Sequence, residues 1–396
     1  MRVLLLHNYY QQAGGEDAIF EQEAELLRQN GVTVETLIFT NDSFNGSWAS
    51  NLQSAMMAFY NADSARRLEE AIDRFRPDVL HIHNLFYTAS PSVILAARQR
   101  GIPVVMTLHN YRLVCANGLL MRSGQTPCED CLTSAIPLAG IRHGCFRDSA
   151  AQSAHLTLLT SVHRLHNTWR QVNRFIVLTD FARQTFMRSS LRLNAHQITV
   201  KPNGVPELGF SPMSNRGNHY LFVGRLSEEK GVRVLLDAAR QQPFPLHIIG
   251  DGPLADLVRE AVQTLSHVQY LGPQPRPVVA KAMQECRALV VPSTWYEGLP
   301  TVILEGYSTG TPVICSDQKN LNQIVEHNKT GILFRTGNAQ DLVRTLTQSL
   351  DLSEVAKGGY QKYLANYTPE RSLQGLQQIY QEVVAGQHAP TTEAHA

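Results

Sequence analysis

Residues 3–39 read VLLLHNYYQQAGGEDAIFEQEAELLRQNGVTVETLIF, and this stretch holds the plan on which the rest of the chain is built. Four consecutive apolar residues, Val3 to Leu6, predict a parallel strand buried on both faces, because one wet face would impose alternation. Gly14-Gly15 interrupts the chain, and from about Asp17 to Gln29 the apolar Phe20, Leu26 and Leu27 mark an amphipathic helix that Gly31 ends. Val32 to Phe39 returns as a strand. The same alternation follows with Ala71 to Phe75 helical, Asp78 to Ile82 extended, a helix near Pro91 to Gln99 and a strand from Val104 to Leu108. Ser161 to Val172 predicts another helix, and Arg174 to Leu178 the last strand of the series. Strands alternating with helices imply an α/β fold with a parallel sheet covered on both faces.

A Pro- and Gly-punctuated stretch from Lys201 to Gly217 breaks the pattern, and a second series begins at Tyr220 to Gly224. Its later strands are expected at Leu246 to Ile249, Val268 to Leu271, Ala288 to Val291 and Pro312 to Ile314. A chain of 396 residues exceeds one ordinary core, which agrees with two doubly wound domains, 1–200 and 201–368. Residues 387–396 read as a frayed tail. The 35 Lys and Arg nearly balance the 34 Asp and Glu, so a nucleic-acid binder working through bulk charge is not expected. The N-terminus reads as a strand rather than a signal peptide, and no apolar run approaches the roughly 18 to 20 residues that cross a bilayer. A cytoplasmic location follows as the expectation, with peripheral contact at the inner face of the cell membrane.

In open α/β sheets, ligands bind beyond the carboxyl ends of the strands. Three strands of the first series end alike, in His7-Asn8-Tyr9, His83-Asn84-Leu85-Phe86 and His109-Asn110-Tyr111. Any one histidine could simply cap or pack, but three at one edge point to a polar pocket, with His109 the candidate for chemistry. Gly14 and Gly15 precede a helix, where backbone amides can approach an anion, or where a turn needs positive φ. In the second series, Gly224-Arg225-Leu226-Ser227-Glu228-Glu229-Lys230-Gly231 joins a strand to a helix. Arg225 and Lys230 can converge on one phosphate, unless Glu228 and Glu229 neutralise them.

Gly250-Asp251-Gly252-Pro253 has part of a dinucleotide fingerprint. A nicotinamide or flavin enzyme is set aside here on Asp256, taken as the residue standing where a small one is required. The stretch from Pro292 to Glu305 is more informative. Glu297 lies in a loop after a strand, Gly298 and Leu299 offer amides at the start of the next helix, and Glu305 follows two turns later. Cys128-Glu129-Asp130-Cys131 has metal-knuckle spacing, and with Cys115 and Cys145 it suits a closed four-thiolate structural zinc site. Ordinary buried cysteines or a labile disulfide are the alternatives.

Together these motifs resemble the retaining glycosyltransferases of family 4, whose GT-B architecture sets two Rossmann-like domains face to face across a cleft. The two glutamates separated by seven residues, Glu297 and Glu305, carry the resemblance, with Gly14-Gly15, Gly224-Arg225, Lys230, Gly250 to Pro253 and Asn328 to Leu333 in order. The resemblance implies a UDP- or GDP-sugar as co-substrate, Arg225 and Lys230 on its diphosphate, Glu305 on the ribose, and Glu297 and His109 at the transferred sugar. It further implies an acceptor-side first domain, a final helix over 369–386 returning to that domain, no catalytic metal, and a glycan or lipid-linked acceptor in surface polysaccharide or glycolipid biosynthesis. One departure stands out, because Gln318-Lys319-Asn320-Leu321 replaces the glycine pair usual after Asp317. A sugar-nucleotide epimerase leaves the glutamate pair unexplained, and a binding-only module leaves the four charged residues unexplained together.

Overall fold

The computed structural model describes residues 1–9, 15–40, 59–85, 88–122, 126–348 and 351–388. Gly14, Phe86 and the tail beyond 388 lie outside them. The chain forms two compact units, one of Met1–Gly118, Asp130–Lys201 and Ser372–Ala396, the other of Leu119–Glu129 and Pro202–Arg371.

In the first unit β1 (Arg2–Tyr9), β2 (Thr33–Thr40), β3 (Val79–Ile82), β4 (Val104–Leu108), β7 (Arg174–Val177) and β8 (Ile198–Val200) form a parallel sheet in the order β2-β1-β3-β4-β7-β8. A small antiparallel pair, β5 (Met121–Arg122) with β6 (Thr126–Pro127), precedes β7 in the chain and belongs to the other unit. Val3 to Leu6 are fully buried, as a strand with helices on both faces requires. On one face the helix Gly15–Gln29 supplies Phe20, Ala24 and Leu27, and the C-terminal helix Pro369–His388 adds Leu376, Ile379, Tyr380 and Val383 to the same core.

Two readings of the first series need correction. Arg174–Val177 is not its last strand, because the three residues of β8 pair beyond it at the sheet edge, too short to show a period. The helix expected over Ser161 to Val172 instead runs Ala150–Leu165 and is followed by a 3-10 turn, Thr168–Gln171. Its buried face carries Ser153, Thr157, Thr160 and Ser161, so apolar periodicity hides it, and the true start is the Ser149 side chain accepting from the Gln152 amide.

The second unit holds β9 (Tyr220–Val223), β10 (Leu246–Ile249), β11 (Val268–Gly272), β12 (Ala288–Val291), β13 (Val313–Ser316) and β14 (Ile332–Phe334) in the order β11-β10-β9-β12-β13-β14. All neighbours are parallel, and the strand order reverses between β9 and β12. Its core joins Phe222, Leu235, Leu236, Ile248, Val258 and Val290 from strands and helices alike. β14 is the strand absent from the sequence reading, three residues inside the Asn328 to Leu333 motif and just beyond it.

Candidate active site

The reversal point of the second sheet is where a doubly wound fold leaves a crevice beyond its strands. The β9 and β12 loops that border it are tied by the Thr294 amide donating to the Glu229 carbonyl at 2.9 Å. Gly231 makes this closeness possible, with φ of 73° and a Cβ position that would fall 1.9 Å from the Pro292 carbonyl oxygen. Across the join, Lys230 Nζ donates to both carboxylate oxygens of Glu297, at 2.7 and 2.9 Å. Ser293 Oγ donates to the same carboxylate at 2.8 Å, and the Lys230 ammonium lies 5.3 Å from the centre of the Trp295 ring. Glu297 is buried, so this pairing offsets a desolvation that it could not otherwise sustain.

The neutralising partners considered for Lys230 are engaged elsewhere. Glu228 accepts from Arg233 at 2.8 Å, and Glu229 accepts from Ser227 Oγ at 2.6 Å. Arg225 is exposed on the same loop. Pro300 is the residue just before the helix Thr301–Ser308, so Gly298 and Leu299 precede its N-terminus, and Glu305 projects from its second turn. Burial raises the Glu305 carboxyl above its usual range, with Arg276 acting in the opposite sense.

The departure at Gln318 to Leu321 has a structural meaning. Asn320, fully buried, donates through Nδ2 to the Glu297 carbonyl at 2.6 Å, and Gln318 Nε2 donates to the Thr294 carbonyl at 2.9 Å. Two amide side chains thereby brace the loop that carries Glu297. Gly250 and Gly252 also need restating. The sixth position of the fingerprint counted from Gly250 is Ala255, not Asp256, so spacing does not set a dinucleotide site aside. The structure supplies a different ground: a Cβ on Gly250 would lie 1.8 Å from the Gly224 carbonyl oxygen, and one on Gly252 would lie 2.6 Å from that of Leu226. These glycines admit the neighbouring β9 loop, and the turn follows β10 rather than the first strand of the sheet.

In the first unit His7 lies within β1, while His83 and His109 follow β3 and β4. His7 Nε2 meets Asp17 Oδ1 at 2.7 Å and its ring stacks on Phe20. His83 stacks on His109, with Nδ1 of the former 3.2 Å from Nε2 of the latter. Burial, and after it the neighbouring His83, push His109 well below its ordinary value, so its ring is neutral. Gly15 opens its helix without a positive φ, and among the described residues nothing lies within 4 Å of a Cβ placed there. Close approach to the helix N-terminus is then what glycine offers at that position.

Beneath these histidines lie residues that periodicity did not single out. Glu23 sits on the buried stripe with Phe20, Ala24 and Leu27, and a carboxylate at such a position was the available signal. Its Oε2 accepts from Lys201 Nζ at 2.8 Å. Tyr380, from the C-terminal helix, completes the group through His81.

The thiols are placed separately. Cys115 Sγ reaches Asn117 Oδ1 at 3.0 Å, Cys128 Sγ lies 3.6 Å from Arg122 Nη2, and Cys131 Sγ lies 4.0 Å from the Pro137 carbonyl. Cys145 is half-buried. Among the described residues, Glu23, His81 and His83 bring ligand atoms within 4.8 Å of one another, and the four cysteines form no such group.

With this geometry in place, comparison with known proteins adds the lineage. Residues 14–204 match the family Glycosyl transferase 4-like domain, and residues 210–370 match Glycosyl transferases group 1. An uncharacterized glycosyltransferase of Methanocaldococcus jannaschii is 32% identical over 171 residues, covering 42% of this chain and 48% of that protein. The phosphatidyl-myo-inositol mannosyltransferase of Mycobacterium tuberculosis is 30% identical over 201 residues, covering 48% of this chain and 51% of its own. These matches thus span about half the length of the curated relatives. Among solved structures, Anabaena HepE in complex with UDP and glucose superposes with a TM-score of 0.66 at 18% identity, over 96% of this chain and 100% of that one. No helix among the described residues is long and apolar enough to cross a membrane. Residues 14–204 and 210–370 thus resemble, in turn, a Glycosyl transferase 4-like domain and a Glycosyl transferases group 1 domain, and the two α/β units have the fold found in HepE.

Proposed function

We propose that the chain is a retaining glycosyltransferase that moves a hexose from a UDP- or GDP-sugar to a hydroxyl of a glycan or lipid-linked acceptor. The observation that carries this reading is the meeting of Lys230 and Glu297 at the reversal point of the second sheet. An ammonium and a buried carboxylate at that place suit a ligand with an anionic diphosphate joined to a sugar that turns cationic as its bond breaks. Lys230 and Arg225 hold the diphosphate, with the amides of Gly298 and Leu299 at the helix start. Glu305 takes the ribose hydroxyls, Glu297 faces the transferred sugar, and His109 of the first unit is the candidate for contact with that sugar. Retention follows if the departing phosphate oxygen receives the acceptor proton on the same face, which leaves orientation and charge stabilisation to the protein. The UDP and glucose bound by HepE and the lipid acceptor named for the mycobacterial relative support this class of donor and acceptor. An acceptor of that kind implies work at the inner face of a membrane.

The test is nucleotide affinity. Replacing Arg225 or Lys230 with Ala removes a charge-assisted contact worth roughly 1.5 to 3 kcal/mol, so binding of free UDP or GDP weakens at least tenfold. Unchanged affinity in both variants would contradict the assignment.

A further inference from the structure

One buried carboxylate in the first unit gathers more partners than packing requires. Glu23 Oε2 accepts from Lys201, and Oε1 lies 3.4 Å from His83 Nε2 and 3.5 Å from His81 Nδ1. His81 is itself held on both sides, by the Tyr380 hydroxyl at 2.7 Å and by Thr107 Oγ1 at 2.8 Å. Burial alone would push Glu23 up, but Lys201, followed by His83 and His81, outweighs it and holds the carboxyl well below its usual range. An apolar stripe residue would pack in this place at no such cost, so the ion pair calls for a role beyond stability.

That role runs through proton placement. Glu23 Oε1 and His83 Nε2 are both buried, and among the described residues neither has another hydrogen-bond partner. A hydrogen on His83 Nε2 faces the carboxylate favourably, whereas a lone pair there would repel it and leave both groups unsatisfied. With its single hydrogen on Nε2, the His83 ring offers a lone pair at Nδ1, which His109 meets by donating from Nε2, 3.2 Å away. The remaining nitrogen of His109 keeps its lone pair.

We propose that Glu23 is a positioning residue that acts through His83 to fix His109 as the Nε2–H tautomer, so that His109 presents a hydrogen-bond acceptor to a hydroxyl of the transferred sugar. This rests on the assignment of His109 to the sugar made above. Accepting from that hydroxyl leaves its oxygen richer in electrons beside a developing positive charge, which favours the transition state. Glu23, His81 and His83 also have ligand atoms close enough for one cation, but the Lys201 ammonium on Glu23 opposes a second positive charge there.

Histidine-selective 15N labelling of the full chain, with long-range proton correlation, reads which ring nitrogen bears hydrogen. His83→Gln and His109→Gln assign the signals. The expected result is Nε2–H at both His83 and His109. Glu23→Gln alone would strand a buried ammonium, so the comparison is the neutral double variant Glu23→Gln with Lys201→Met. In it His109 becomes a mixture of tautomers and kcat falls about tenfold to hundredfold, the range seen when a partner that orients a histidine is removed, while UDP or GDP affinity is unchanged. His109 in the Nδ1–H form in the unsubstituted protein, an unaltered tautomer in the double variant, or stoichiometric zinc lost on His83→Gln would each overturn the proposal. The tautomer of the unsubstituted protein is read without any change at Glu23, so poor folding of the double variant does not disable the test. Turnover by His109→Gln at the full rate would overturn the sugar assignment, and it is separate from the tautomer readout.

Discussion

Glu297 and Glu305 are chemically identical side chains in different settings, and the difference predicts how each fails. Glu297 is buried and held by Lys230 and Ser293, whereas Glu305 is half-buried with a raised pKa caused first by burial. Glu297→Gln should keep UDP or GDP affinity within about twofold and lower kcat at least a hundredfold, because it alters the charge facing the sugar. Glu305→Gln should instead weaken nucleotide binding and raise the donor KM. Titration calorimetry beside initial rates separates the two, and the opposite pattern would exchange their roles. Asn320 supports Glu297 through one buried hydrogen bond to its carbonyl. Asn320→Ala should cost about 1 to 3 kcal/mol in chemical denaturation, with a loss of kcat from the loosened loop. A variant as stable and active as the parent protein would show that the brace is idle.

The site depends on how two loops meet, and glycine sets that distance. At Gly231 both the positive φ and the contact with Pro292 exclude a side chain. Gly231→Ala should therefore destabilise the protein by more than about 3 kcal/mol, seen as a lowered denaturation midpoint, whereas Gly337→Ala, with the same φ sign and open space, should cost less. Sequence made the sheets legible because fully apolar runs such as Val3 to Leu6 and Ala288 to Val291 are buried on both faces. It placed Arg225, Lys230, Glu297 and Glu305 on loops and a helix start because strand-to-helix joins are marked by glycine and proline. It did not reveal β8, whose three residues carry no period, or the helix Ala150–Leu165, whose inner face is half Ser and Thr. Nor could it pair Glu23 with Lys201, which are 178 residues apart in sequence and meet only in the folded unit. At the Gly250 fingerprint the sixth position is Ala255, and the contacts of Gly250 with Gly224 and of Gly252 with Leu226, which only the fold shows, explain the two glycines.

At the scale of the whole molecule, histidines held neutral by full or partial burial set the response to acid. Burial is the first cause that lowers His7, His81, His109, His155 and His163 in the first unit and His219 and His247 in the second. The unfolded chain takes up these protons near pH 6.5, where the native state still resists them, so stability falls as pH drops below about 6.5. Glu23, whose native value is depressed, adds a further loss only below about pH 4.5. Calorimetry should show a Tm nearly level from pH 8 to 7 and falling steadily from 6.5 to 5, and a Tm that rose over that interval would contradict the burial of these rings as neutral species. The central claim is that Lys230 and Glu297 mark the place where a nucleotide sugar is cleaved for transfer. Its most direct test is release of nucleoside diphosphate from a panel of UDP- and GDP-sugars, with a lipid-linked glycan fraction as acceptor, for the unsubstituted protein and for Glu297→Gln. The account predicts acceptor-dependent release from at least one donor, lost in Glu297→Gln although that variant still binds the nucleotide. Release by Glu297→Gln at the unsubstituted rate, or no binding and no cleavage of any donor in the panel, would contradict it.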